Sequence, residues 1–176
     1  MNVIFLDIDG VLVNRRALAD RRAQKLGYRY VADPPCVDAL NAITETTQAL
    51  IVLSSSWRFC GLEEMRLILK HWGVEAPLVD MTPDLTRVPI EDGGLYQGVP
   101  RGREIQAWLD AAEHPITSFV ILDDDADMEH LAPFLIKTEF EPGLTMEHAE
   151  RAIAMLRRAP ETAPASAEQN PAGGRE

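Results

Sequence analysis

Two aspartates interrupt an apolar opening run. The stretch VIFLDIDGVLV, Val3 to Val13, sets Asp7 and Asp9 among eight apolar residues, where a buried strand would have no use for a carboxylate. A second acidic group, Asp123, Asp124, Asp125 and Asp127, follows the apolar run Phe119 to Leu122. Carboxylates gathered in one crevice repel: two unit charges about 4 Å apart cost about 4 kcal/mol at an effective dielectric near 20. A hard divalent cation removes that cost. All-oxygen ligation by a few carboxylates suits Mg²⁺, which keeps some of its waters and also binds substrate phosphate. The chemistry on offer is that of a cation and a phosphate group, provided the two acidic groups meet.

Their meeting depends on the elements that carry them. Short apolar runs at Val3–Leu6, Ala49–Leu53, Pro77–Val79, Phe119–Leu122 and Phe134–Ile136 read as strands. Helical patterns separate them. Asp33 precedes Pro34 as a cap, and Cys36, Leu40 and Ile43 then recur at helical spacing. Leu62, Met65, Leu69 and Trp72 share a face that stops at Gly73. A helix from about Gly102 to Ala112 buries Ile105, Trp108 and Leu109. The last is capped by Thr145 and turns Met146, Ala149, Ile153 and Leu156 inward. Strands alternating with helices predict an α/β fold with a mostly parallel sheet covered on both sides. In such sheets ligands bind outside the carboxyl ends of the strands, where strand order reverses. Asp7 ends the first strand and Asp123 follows the fourth, so neighbouring positions for those strands would join the acids.

At 176 residues the chain is expected to form one domain with a real core, over residues 1–158. Beyond Arg158 the composition turns to APETAPASAEQNPAGGRE, which predicts a disordered tail over 159–176. Thr82 to Pro100 reads as a long loop. The longest apolar runs are about five residues, too short to span a bilayer, and an aspartate at position 7 argues against a signal peptide; a cytoplasmic location is expected. Cys36 and Cys60 lack zinc-like spacing and read as free thiols. A net charge of −11 argues against a general nucleic-acid binder. Between Asn14 and Tyr30, however, Arg15, Arg16, Arg21, Arg22, Lys25 and Arg29 face one acid, Asp20, and could meet an anionic substrate or simply form a solvated helix face.

The motifs FLDIDGVL, IVLSSSWR, RGREIQAWL, VILDDDAD and GLT resemble, in order and spacing, the haloacid dehalogenase (HAD) superfamily, and more narrowly the HAD domain of Swiss Army Knife RNA repair proteins. The resemblance covers about residues 1 to 158. It implies a HAD-like Rossmannoid three-layer sandwich, a five-stranded sheet of order 5-4-1-2-3, a minimal cap and phosphohydrolase activity. Asp7 would be the nucleophile that takes the phosphoryl group, and Asp9 the acid that protonates the leaving oxygen and then activates water. Gly10 would let the chain turn away without a side chain in the crevice. Ser54 would bond the transferring group. Asp7, Asp123 and the backbone carbonyl of Asp9 would hold Mg²⁺, with Asp124 as a further ligand or support.

The superfamily offers a lysine upstream of the last acidic cluster, whereas the candidates here are Arg101 and Arg103, of which Arg101, just before the helix, is preferred. Ser55, Ser56 and Arg58 would contact phosphate or substrate, or the serines would cap the next helix. Trp57 reads as core rather than as a platform for a base. Members of the superfamily select substrates through insertions after the first or third strand; the first insertion here, about 14–32, is small enough to leave the crevice open to a nucleic-acid end. The expected activity is Mg²⁺-dependent hydrolysis of a phosphate monoester through an aspartyl-phosphate, with the terminal phosphate of RNA or DNA as candidate substrate. A non-catalytic phosphate-binding module and a phosphotransferase are the alternatives.

Overall fold

The computed structural model of the chain describes residues 1–20, 25, 31–85 and 98–158. One sheet holds β1 (Asn2–Leu6), β2 (Leu50–Leu53), β3 (Leu78–Met81), β4 (Ser118–Asp123) and β5 (Leu135–Lys137). The strands lie in the order β3-β2-β1-β4-β5 and every neighbouring pair is parallel, the expected 5-4-1-2-3 sheet read from its other edge. Around it pack α1 (Arg15–Ala19), α2 (Pro34–Thr47), α3 (Leu62–Trp72), α4 (Arg101–Ala111) and α5 (Met146–Arg157), with 3₁₀ helices at Ser56–Cys60 and Glu129–Phe134.

Alternation along β1 divides the core in two, because successive side chains of a strand point to opposite faces. Ile4 and Leu6 pack with Cys36, Leu40 and Ile43 of α2, Met65 and Leu69 of α3, and Ala149 and Leu156 of α5. Val3 and Phe5 pack on the other side with Ile105 of α4, Met128 and Leu131, and the Trp108 ring meets Phe5 edge-on at 5.4 Å. Each large apolar side chain so buried contributes about 1.5–3 kcal/mol. Three layers result, and the middle one is apolar on both faces, which is why its strands read as unbroken apolar runs.

Several local expectations are corrected. Asp33 occupies the position before α2, but its carboxylate makes no capping bond. Pro34 and Pro35 bring no N–H to be capped, and the Cys36 N–H is already held by the Asp33 carbonyl at 2.9 Å. The carboxylate instead accepts from Asn14 Nδ2 at 2.6 Å and from the Arg16 guanidinium, which ties the two ends of the first insertion together. Met146 is 52% exposed rather than inward: it opens α5, and the inward stripe begins at Ala149. Phe134 ends a 3₁₀ helix, so β5 starts one residue later than expected, and β3 likewise runs later, over Leu78–Met81. Of the basic stretch, Arg15 pairs with Glu141 and Arg16 with Asp33, while Lys25 is exposed. Arg21, Arg22 and Arg29 lie outside the described residues, as do 86–97 of the long loop and the expected tail at 159–176.

Gly102 sits where α4 crosses the segment after β4. A side-chain carbon there would run into the Met128 carbonyl, and the Gly102 N–H donates to the Asp127 carbonyl at 3.2 Å. Gly102→Ala is expected to lower stability by about 1–3 kcal/mol in urea unfolding, the usual cost of overpacking a rigid contact. An unchanged midpoint would mean that α4 is not seated this tightly.

Candidate active site

Strand register brings the acidic groups together. Leu6 of β1 lies opposite Leu122 of β4 on one side and Leu53 of β2 on the other. The ladder continues one step past β1 and β2, level with Asp123 at the end of β4: the Asp7 N–H donates to the Leu122 carbonyl at 2.9 Å, and the Ser54 N–H to the Leu6 carbonyl at 2.8 Å. Asp7, Ser54 and Asp123 therefore stand side by side at the carboxyl edge. That edge is also the switch point, since the chain leaves β1 for β2 on one side and returns through β4 on the other. Carboxylate oxygens of Asp7, Asp123 and Asp124 all lie within 4.8 Å of one another.

The turn after β1 is fixed by two contacts. Gly10 has φ +70, and any side chain there would collide with the Asp124 carboxylate. The Thr138 hydroxyl, itself buried, donates to the Gly10 carbonyl at 2.8 Å while its N–H donates to the Asp123 carbonyl at 2.9 Å, so one residue after β5 pins both acidic segments. Asp9 is held apart from the cluster: its Oδ2 accepts from the Trp57 indole Nε1–H at 2.9 Å.

Burial pushes the Asp7 carboxyl up to about 6, against the opposing charge of Arg101 and a hydrogen bond from the Ser55 side chain. Burial and then the charge of Asp7 push Asp123 up to about 7. Asp124 is also raised, first by burial. Arg101 Nε lies 3.8 Å from Asp123 Oδ2. Among the described residues, Ser54 Oγ, Asp123 Oδ2 and Arg101 Nη1 are buried with no hydrogen-bond partner. Leaving such groups unmade costs about 1–3 kcal/mol each. The set is complementary to a cation bound with an oxyanion: the serine and arginine have hydrogens to give, and the aspartate has lone pairs for a metal.

The remaining candidates are placed as follows. Arg101 is the first residue of α4, and its N–H donates to Asp127 Oδ2 at 2.9 Å, so the last acid of the DDDAD run anchors the helix that carries the arginine. Arg103 is turned to Glu129 at 2.9 Å. Arg58 is paired with the buried Glu104 and donates to the Thr82 and Pro83 carbonyls, joining the segment after β2 to α4 one turn beyond Arg101. Ser55 is buried and accepts from the Trp57 N–H at 3.3 Å, while Ser56 is exposed. Cys36 is a free thiol, and burial pushes it up to about 11, an unreactive state. Sequence reasoning missed Thr138, Asp127, Glu104 and the polar use of Trp57. Asp127, Glu104 and Trp57 lay in motifs, but the partners of Thr138, Glu104 and Trp57 are more than twenty residues away, with no local pattern to betray these contacts.

Raised carboxyls make the cation-free fold sensitive to pH. The ordinary value for Asp7 and Asp123 is 3.8, so their contribution to stability is fully present below about pH 4 and is lost as pH rises through about 6 to 7. Tm measured without divalent cation is expected to fall over that window by less in Asp123→Asn than in the wild type. Added Mg²⁺ is expected to raise Tm at pH 8 and hardly at pH 5, the gain in stability at pH 8 being about 2.7 kcal/mol at a hundredfold excess over Kd. A Tm indifferent to Mg²⁺ at pH 8 would contradict a cation site.

Comparison with curated proteins finds no match. The model of one protein family, described as the HAD domain in Swiss Army Knife RNA repair proteins, matches residues 3–149, a span that contains the clustered acids, Ser54 and Arg101. With most of its length matched and the parallel sheet bearing its acids at the expected edge, the chain belongs to this family of HAD domains from Swiss Army Knife RNA repair proteins.

Proposed function

We propose that the protein is a Mg²⁺-dependent phosphatase that hydrolyses a phosphate monoester through an aspartyl-phosphate on Asp7. The observation that carries this reading is the set of buried, unpartnered atoms of Ser54, Asp123 and Arg101 beside Asp7, a geometry with donors for a phosphoryl group and an acceptor for a cation. Asp7, Asp123, Asp124 and the Asp9 carbonyl would hold Mg²⁺, which supplies charge neutralisation and alignment so that a dianionic phosphate can approach a carboxylate.

In the first step an Asp7 carboxylate oxygen attacks phosphorus, the bond from phosphorus to the ester oxygen breaks, and Asp9 gives that oxygen its proton. The Ser54 hydroxyl and the Arg101 guanidinium hold the phosphoryl oxygens as charge redistributes over them. In the second step Asp9 takes a proton from water, the water oxygen attacks phosphorus, and the bond to Asp7 breaks, releasing inorganic phosphate. The carboxylate of Asp9 suits this double duty because it lies outside the metal-binding group.

The substrate we propose is the terminal phosphate of an RNA or DNA strand, in line with the family's description as a domain of RNA repair proteins. Among the described residues no helix is long and apolar enough to cross a membrane. We place the protein in the cytoplasm, in keeping with the free thiol of Cys36.

Phosphate release from a 3′-phosphorylated oligonucleotide, measured beside small phosphomonoesters with Mg²⁺, tests both halves. Wild-type protein is expected to favour the oligonucleotide, and Asp7→Asn to keep its fold while turnover drops by at least about a thousandfold. Full activity in Asp7→Asn would overturn the nucleophile, and preference for a small sugar phosphate would overturn the substrate. Tight binding of the oligonucleotide without release would leave a binding module.

A further inference from the structure

We infer that Trp57 is a positioning residue for Asp9: its indole N–H keeps that carboxylate out of the cation cluster and available to the leaving group. The inference rests on the phosphatase reading above.

Trp57 lies in the 3₁₀ helix that follows Ser54 and Ser55 and is only 2% exposed. Its ring packs edge-on against Trp72 of α3, centroids 5.7 Å apart at 70°, and its backbone N–H is held by the Ser55 hydroxyl. The side chain is thus fixed from two sides. Its one polar atom, a donor with no acceptor capacity, points across forty-eight positions of chain to Asp9 Oδ2 at 2.9 Å. Burial of the ring within the core accounts for the indole body. It does not account for the choice of a ring with an N–H aimed at this carboxylate.

The consequence lies in what Asp9 does not do. It is two residues from Asp7, yet among the described residues the group whose carboxylate oxygens all lie within 4.8 Å of one another is Asp7, Asp123 and Asp124, without Asp9. A fourth carboxylate drawn onto the cation would be spent as a ligand and could not serve the departing oxygen. The bond from Trp57 holds Oδ2 and leaves Oδ1 for the substrate. Rigid support of this kind matters because misplacement of a reacting group by about 1 Å can lower a rate a hundredfold.

Trp57→Phe keeps an aromatic ring and deletes the N–H. The test compares kcat/KM for an alkyl phosphate, whose leaving oxygen needs a proton, with that for 2,4-dinitrophenyl phosphate, whose leaving group departs as the anion. Expected is a loss of about ten- to a hundredfold on the alkyl ester and little change on the dinitrophenyl ester. In an Asp9→Asn background the same change should cost nothing further, since the two residues act as one unit. Equal losses on both esters, or additive losses in the double variant, would overturn the inference.

A second readout needs no turnover. Calorimetric titration with Mg²⁺ is expected to show Trp57→Phe binding the ion about tenfold more tightly, as Asp9 joins its ligands, and that gain should vanish in the Asp9→Asn background. Unchanged affinity would overturn the inference; a wild type inert on both esters but showing this pattern would overturn only the phosphatase reading. Should Trp57→Phe not fold, the Trp57 indole N–H resonance in the wild type and in Asp9→Asn decides: a shift is expected, and coincident resonances would refute the contact.

Discussion

Gathering three carboxylates, two of them buried, is the constraint on which the rest of the structure depends. Asp7 and Asp123 sit at adjacent strand tips with almost no exposure, and each is pushed toward the protonated form by burial. A fold gains nothing from such an arrangement on its own account, since repulsion and desolvation act in the same direction. Arg101, 3.8 Å from Asp123, opposes them, together with the Ser55 side chain at Asp7 and the Asp125 N–H, which donates to Asp123 Oδ1 at 2.9 Å. The site is an unsatisfied one, and its shape is that of the groups that would satisfy it.

Parallel strand pairing is what enforces the arrangement. Because β1 lies between β2 and β4, Asp7 and Ser54, one step past β1 and β2, must fall next to one another and to Asp123, the last residue of β4. Around that edge, contacts from distant segments hold the parts in place. Thr138 locks the Gly10 turn to β4, Asp127 anchors the start of α4, and the Arg58–Glu104 pair joins α4 to the segment after β2. Glu104 is buried, so removing Arg58 would leave an uncompensated charge. These contacts replace flexibility with position, which is what a site that works by electrostatics needs.

How much of this was legible in the sequence divides along physical lines. The strands and most helices were readable because apolar periodicity reports burial directly, as at Ile4, Leu6 and Leu40. Where a local rule had a stronger competitor, it failed. Asp33 looked like a cap, but two prolines left it little to cap and Arg16 and Asn14 claimed its carboxylate. Met146 fitted a helical stripe yet lies in the first turn, beyond the reach of the sheet. The adjacency of Asp7 and Asp123 is fixed by strand order, which periodicity does not encode; the family resemblance supplied it. The second uses of Trp57, Glu104 and Thr138 could not be read, because each depends on long-range hydrogen bonds between residues that separately look ordinary.

The most direct test of the central claim is a crystal structure of the wild-type protein grown with Mg²⁺ and beryllium fluoride, a stable mimic of a phosphoryl group on a carboxylate. The account predicts the fluoride adduct on Asp7, with Ser54 Oγ and the Arg101 guanidinium within hydrogen-bond reach of its fluorines and Mg²⁺ shared by Asp7 and Asp123. An unmodified Asp7, or a magnesium ion bound away from Asp123, would contradict it.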